Sequence, residues 1–568
     1  MKRTIVISCI ALACAAVAWA GYRAVAPPVV PLSKFIPAGP LLYLETKDFS
    51  SLLSDWNSSP QKKQWVQSGN YEVFSRSRLF LRLQGAGEQF AAAAGIPFDM
   101  NFLSQVAGQR SALAVYDIGK LEFLYVTYLP SAKSMPSSLY QTRSKFEPRN
   151  AGGVDFFVRR DSESQRVVAF ATAGDYLLLA TREDVLASAL QLISGKQDQT
   201  VEGEPWWTQS TAAAGQAGDL RMVLNLQTLV ANGYFRTYWV QQNITDLSQY
   251  SAAVSDLFRT ASEYREERVL IRKKESARPA SPDGLSAAAD LVRLIPDNAG
   301  VYATVANPNA DSCFALLQTK VLTPYLGPAP ESQIAPQVQL TSGEQGASSD
   351  LETRIDQAPA QAPPSTGSAG ALKELLAKTL LLGSLQVQST QRDPAGVFVR
   401  IHSAVVLSAA SDWNEMGVYS ALHEFVRPAL TAGQLGVFWQ QKAGYRQFDG
   451  LWPLSVSVRG KDLVVSDDPG LMEAIVAKFH QPSDHKPFEY CAGFNHESER
   501  GNFARLTSLV DRPGMPVASQ PGSEGQPQFF SGNMTSLSST LADVSWERIE
   551  SRSEGTKVKQ TVIYQWSQ

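Results

Sequence analysis

The chain has 568 residues, 51 Lys+Arg against 54 Asp+Glu, and 44% hydrophobic, 10% aromatic and 18% charged side chains. That apolar and aromatic content with a net charge of only -3 excludes a wholly disordered chain. No stretch concentrates the Lys and Arg that phosphate neutralisation requires, which excludes a basic nucleic-acid binder.

Lys2 and Arg3 precede an uncharged, largely apolar run over residues 4–21 that contains Ala18-Trp19-Ala20. This pattern is an export signal. Its small-x-small end fits a cleavage site, while its length of about 18 residues reaches the lower limit for spanning a bilayer, so residues 1–21 read as a signal peptide or a membrane anchor. Ala26-Pro27-Pro28-Val29-Val30-Pro31 then predicts an extended tether over 22–34. Cys9 and Cys14 lie in the export segment, and the residues before Cys14 lack the Leu of a lipidation site. Cys313 and Cys491 remain, and the sequence allows either one disulfide or two buried thiols.

The body of the chain is written twice, with a period near 280 residues. Phe35-Ile36-Pro37-Ala38-Gly39-Pro40-Leu41-Leu42-Tyr43 aligns with Leu294-Ile295-Pro296-Asp297-Asn298-Ala299-Gly300-Val301-Tyr302, each a Pro-marked turn entering a strand. A hairpin over 111–129 has its counterpart over 384–407, turning at Asp117-Ile118-Gly119-Lys120 and Asp393-Pro394-Ala395-Gly396. Three meander strands are predicted over 154–181. Gly174-Asp175-Tyr176-Leu177 matches Gly460-Lys461-Asp462-Leu463, and each block leads into a helix. The apolar spacing of Val185, Leu186, Ala189, Leu190 and Ile193 marks the first helix, and that of Leu471, Met472, Ile475 and Val476 the second. Pro205-Trp206 matches Pro487-Phe488, and Leu226-Gln227-Thr228-Leu229-Val230 matches Leu506-Thr507-Ser508-Leu509-Val510. Each unit closes on a strand pair, the first turning at 264–267 and the second at Ser553-Glu554-Gly555.

The fold expectation is therefore α+β: two related antiparallel-sheet units, 35–273 and 284–568, with helices packed on the sheets and a linker at 274–283. The second unit carries a Pro/Ser/Gln-rich insertion at 327–370 and a flexible loop at 512–532.

The export signal, the I-P-x-x-x-x-x-Y opening of each unit and the strand-then-helix blocks resemble a family of uncharacterised bacterial envelope proteins classed as a domain of unknown function. The resemblance spans most of the chain from Phe35 onward. It implies a bacterial source and a periplasmic or other extracytoplasmic location, and it transfers no catalytic residue.

Reaction-centre motifs are missing. There is no P-loop string and no G-x-S-x-G elbow. Gly85-Ala86-Gly87 reads as a loop after a helix over 72–83 rather than a dinucleotide turn, and Ser59-Pro60-Gln61-Lys62 satisfies S-x-x-K without its partner motifs. His423-Glu424 has Arg427 where a zinc protease needs its second His, so His423 reads as a packing residue beside Met416, Tyr419 and Val426. His480, His485, Cys491 and His496 form the one grouping of metal-ligand types. Their spacing fits no familiar site, and a solvated connection is the favoured account. Trp206-Trp207 reads as an aromatic anchor rather than a sugar platform, and Asp467-Asp468 as a helix start.

With no catalytic residue and no cofactor indicated, the expected function is that of an envelope-exported, membrane-tethered binding or scaffold protein. Its partners would be other envelope proteins or an apolar ligand. Two alternatives are a carrier or sensor of an apolar molecule, such as a lipid, lodged between sheet and helices, and a hydrolase with an unrecognised site.

Overall fold

The computed structural model describes residues 30–76, 78–233, 235, 247–274, 280–322, 369–392, 399–430, 439–449, 453–483, 485–499 and 544–566. The export segment 1–21, most of the 327–370 insertion, the 512–532 loop, the 506–510 block and the 393–396 turn lie outside the described residues.

In the first half the strands are β1 (Leu42–Thr46), β2 (Ser111–Asp117), β3 (Glu122–Tyr128), β4 (Glu147–Ala151), β5 (Val154–Arg160), β6 (Val167–Ala173), β7 (Tyr176–Ala180), β8 (Leu220–Leu224), β9 (Tyr250–Arg259) and β10 (Glu263–Arg272). The second half has β11 (Val301–Ala306), β12 (Leu381–Arg392), β13 (Val399–Ala409), β14 (Trp439–Gln441), β15 (Arg446–Asp449), β16 (Pro453–Arg459), β17 (Asp462–Ser466), β18 (Tyr490–Asn495), β19 (Val544–Glu554) and β20 (Lys557–Trp566). All pairings are antiparallel. From the outer edge inward the first half runs β4-β5-β6-β7-β3-β2-β1-β8-β9-β10. The second half repeats that order as β14-β15-β16-β17-β13-β12-β11-β18-β19-β20. β10 then pairs with β20, from Glu263↔Gln565 to Ile271↔Lys557, with Glu267↔Thr561 at the midpoint. Equivalent strands of the two halves thus meet head to tail, and one continuous sheet carries a local twofold relation across this seam.

Short-range signals explain why the repeat was readable. β6–β7 and β16–β17 are hairpins whose turns place Gly174 at φ 55° and Gly460 at φ 57°, a left-handed conformation that glycine adopts without a Cβ clash. Leu32–Phe35 and Val292–Leu294 are matching 3₁₀ turns before β1 and β11. On one face of the sheet the helix Glu183–Ile193 buries Val185, Leu186, Ala189 and Leu190 over the first half, and Pro469–Ala477 buries Leu471, Met472 and Ile475 over the second. The opposite face is covered by Phe49–Ser58, Arg78–Ala94 and Met100–Val106 in the first half. In the second half it is covered by Ala310–Leu317, Gly370–Lys378 and Glu415–Leu430.

Four expectations need correction. The tether ends before position 34, because Leu32 is fully buried in the first-half core and Ser33 donates to Glu202. Gly85 and Gly87 lie inside the helix Arg78–Ala94, whose flanking Leu, Gln and Ala residues favour helix, and at Gly87 a Cβ would meet the Phe98 ring at 3.1 Å. Residues 264–267 are strand, since β9 turns into β10 earlier, where the Thr260 amide donates to the Glu263 carbonyl. The last two linker residues, Pro282 and Asp283, open the helix Pro282–Leu291, which Ser281 caps.

Candidate functional site

In the first half, alternate residues of four strands line up across the sheet. Leu44 pairs with Leu113, Leu113 with Tyr125, and Tyr125 with Leu179, while Leu42, Val115 and Phe123 form the next row. Side chains on one face of an antiparallel sheet stand next to each other across strands, so these rows make a continuous apolar floor. Ala112 and Ala114 alternate with them and face the opposite core.

The helices above this floor do not close down on it. The helix Phe49–Ser58 has no buried residue, although Asp48 caps it by accepting the Ser51 amide at 2.9 Å. Trp56, Val66, Leu81, Leu83, Phe98 and Met100 are all exposed large hydrophobics of this layer. Between layer and floor lie two apolar cavities. One, of about 370 Å³, is lined by Leu44, Phe49, Phe98, Phe102, Leu113 and Tyr125 among others; the second, of about 280 Å³, by Leu83, Phe90, Phe98, Leu113, Val115 and Phe123. Shared Phe98, Leu113 and Phe123 make them one groove that follows β2, a strand of seven residues or about 20 Å. Volumes of this order are those of small-molecule sites.

The two ends of the groove differ chemically. At the end marked by Thr46, Ser111 and Thr127, hydroxyls gather: Ser111 and Thr127 are 2.6 Å apart, and the Tyr125 hydroxyl donates to the Val106 carbonyl at 2.9 Å. The Thr46 hydroxyl lines the cavity, is buried, and has no hydrogen-bond partner among the described residues. Burial holds the Tyr125 phenol above its usual range, so it stays a neutral donor.

At the other end, beside the β2–β3 turn, Arg166 and Thr181 line both the groove and an adjoining charged cavity of about 730 Å³. Arg166 donates to the Lys120 carbonyl and to Gln89 Oε1, and Arg82 donates to the Gly119 carbonyl. The acids of that cavity are already paired: Glu122 and Asp184 with Arg182, which lines the same cavity, and Glu183 with Arg149 at 3.5 Å. Burial, with Arg82 adding like charge, pulls the Arg166 guanidinium below its ordinary value, while Glu122 opposes that shift.

The residues singled out from sequence do not converge on this groove. His480 ends a 3₁₀ turn and His485 lies on the following connection, both exposed. Cys491 points into the second-half core on β18, and His496 sits 3.5 Å from Glu547 and edge-on to Phe494. Among the described residues, no three His, Cys, Asp or Glu side chains gather in metal-binding geometry. Cys313 and Cys491 are unbridged thiols in different core clusters, and burial pushes the Cys313 thiol up to about 12. Cys491 is likewise held protonated by burial, beside Tyr302 and Arg548.

Ser59 of the S-x-x-K string caps the helix Pro60–Val66, accepting the Lys62 amide at 3.1 Å, while Lys62 Nζ donates to Asn57. His423 packs edge-on to Phe448 with Tyr419 buried nearby, whereas Met416 is 71% exposed. Trp206 and Trp207 are core residues, Trp207 standing edge-on to Tyr43 at 4.8 Å, and Phe488 is buried in the second half. Asp468 caps Pro469–Ala477 as expected, but Asp467 does not belong to the cap: it is buried and accepts the Ser403 amide at 2.7 Å.

Sequence reading missed Phe98, Leu113, Phe123, Arg82 and Arg166. The available signal was β2 itself, Ser-Ala-Leu-Ala-Val-Tyr-Asp, where small residues alternate with large apolar ones, followed by a β3 that is apolar on both faces.

No family model and no curated protein matches the chain. Solved structures titled crystal forms I, IV and III of TP0453 align at 12%, 10% and 13% identity, with TM-scores of 0.24, 0.22 and 0.22. They cover 44%, 43% and 48% of this chain and 82%, 81% and 88% of their own.

Proposed function

We propose that this chain is an exported binding protein that holds an apolar ligand, such as a lipid alkyl chain, in the groove between the first-half sheet and its helices. The observation that carries this reading is the groove itself, lined almost wholly by apolar side chains, of which Leu44, Leu113, Val115 and Phe123 are left half-buried by the helices above them. Large apolar surfaces of this kind mark interaction sites. It favours the carrier alternative over a scaffold working through its outer surface. Export rests on the pattern of residues 1–21.

The test is native mass spectrometry of the full chain purified without detergent. The reading expects an added mass that organic extraction removes. After extraction, titration with an n-alkyl series should show affinity rising about fourfold per methylene, from about 0.8 kcal/mol each, until the groove is filled. Empty protein together with affinities independent of chain length would refute it.

A further inference from the structure

We propose that the ligand of this groove is an anionic amphiphile, its carboxylate or phosphate head held at the β2–β3 turn by Arg166 and Arg82 and its alkyl chain running under Phe98 along Leu113 and Val115. The inference rests on the reading of the groove as an apolar-ligand site and adds the chemistry of the head.

Three observations support it. First, Arg166 lines both the apolar groove and the charged cavity that opens from it, so cation and apolar floor are parts of one surface. Second, Arg166 is held in place by neutral acceptors, the Lys120 carbonyl and Gln89 Oε1, and among the described residues no carboxylate lies within ion-pair distance of it. A guanidinium fixed through part of its fork keeps N–H donors for a further oxyanion, and its planar geometry suits carboxylate and phosphate alike. Third, the charges around the mouth are unequal. Lys120, Arg160 and Arg82 face it with Arg166, while Glu122 and Asp184 are tied to Arg182, and Glu183 to Arg149. A half-buried cation beside apolar walls favours an anion more strongly than the same cation in water, because water screens it less.

The polarity of the groove gives the ligand a direction. The head lies at the β2–β3 turn and the chain extends along the apolar floor toward the Leu44 end of the groove. A fatty acid and a lipid phosphate share the required chemistry: one oxyanion on an alkyl chain.

The experiment titrates the extracted full chain with hexadecanoate, hexadecyl phosphate and hexadecanol by calorimetry at two salt concentrations. Both anions are expected to bind at least tenfold tighter than the alcohol, with the gap narrowing as salt rises. Arg166→Gln should weaken the anions about tenfold and leave the alcohol unchanged, and Arg166→Lys should restore most of the preference. Tighter binding of the carboxylate points to a free fatty acid and of the phosphate to a lipid head; either order supports the proposal. Equal binding of all three probes, or equal weakening of all three by Arg166→Gln, would overturn it while leaving the groove as an apolar site. Binding of none of them removes both readings.

Discussion

The two halves of the molecule build the same strands in the same order and then furnish one face of the sheet differently. The first-half row Leu44, Leu113, Tyr125, Leu179 corresponds through strand order and register to Ala303, Gln386, Val405, Val465 in the second. In the second half Val405, Leu407, Leu463 and Val465 are each at most 1% exposed, sealed beneath Ala310–Leu317, Gly370–Lys378 and Glu415–Leu430. In the first half Leu179 is buried like its counterpart Val465, but Leu44, Leu113 and Tyr125 are half-buried and open into an apolar groove, where the second half has the half-buried Ala303 and Gln386 in place of the two leucines. A duplicated sheet thus offers two equivalent faces, and the side chains on it, together with the helices laid across it, decide which becomes core and which becomes a site.

One contrast between equivalent positions should dominate stability measurements. Thr181 accepts the Phe123 amide at 2.9 Å, and its counterpart Asp467 accepts the Ser403 amide at 2.7 Å. The first pair is neutral. Burial, with the neighbouring Asp468 charge adding, pushes the Asp467 carboxyl up to about 7, although the Ser403 amide opposes the shift. Because the folded value lies above the unfolded one near 3.9, the stability associated with the neutral carboxyl is present below about pH 4 and is lost as pH rises through about 7. Asp467→Asn keeps the acceptor and removes the charge. Chemical denaturation should show it about 4 kcal/mol more stable than the parent at pH 8 and equal to it at pH 4. Parallel pH profiles would show that the two positions behave alike.

A smaller effect compares core with groove. Leu407→Ala removes a fully buried side chain and is expected to cost about 3 kcal/mol, whereas Leu113→Ala, on the open floor, should cost under about 1 kcal/mol. Equal costs in urea denaturation would mean that the first-half face is packed as core after all.

Smaller still in stability is a graft between the halves. Leu113→Gln places in the groove the side chain that Gln386 supplies at the corresponding sheet position. The fold should be unchanged by circular dichroism, while affinity for an alkyl ligand falls about tenfold, or about 1.4 kcal/mol. Unchanged affinity would separate the floor from ligand binding.

The sequence made the repeat legible because its signals are local. Gly174 and Gly460 occupy matching left-handed turn positions, and the helices after them announce their buried faces by spacing. The β10–β20 seam had no such signal, since it joins strands almost 300 residues apart and depends on where both hairpins come to rest. Gly85 and Gly87 misled because glycine in isolation suggests a loop, while here the small residue admits Phe98 against a helix. The groove stayed hidden for a related reason. Leu113 and Phe123 read as ordinary strand residues, and only the failure of the overlying helices to bury them distinguishes floor from core. The His and Cys grouping dissolved because alternation on β18 turns Cys491 inward while His480 and His485 remain on the exposed connection.

The central claim is that one half carries the site and the other half carries an equivalent face without its apolar floor. A photoactivatable fatty acid, crosslinked to the full chain and mapped by peptide mass spectrometry, addresses this most directly. The account predicts label on segments containing Leu83, Phe98, Leu113 and Phe123, lost on competition with unlabelled ligand. Label distributed equally onto the equivalent second-half strands around Gln386 and Val405, or label that competition does not remove, would contradict it.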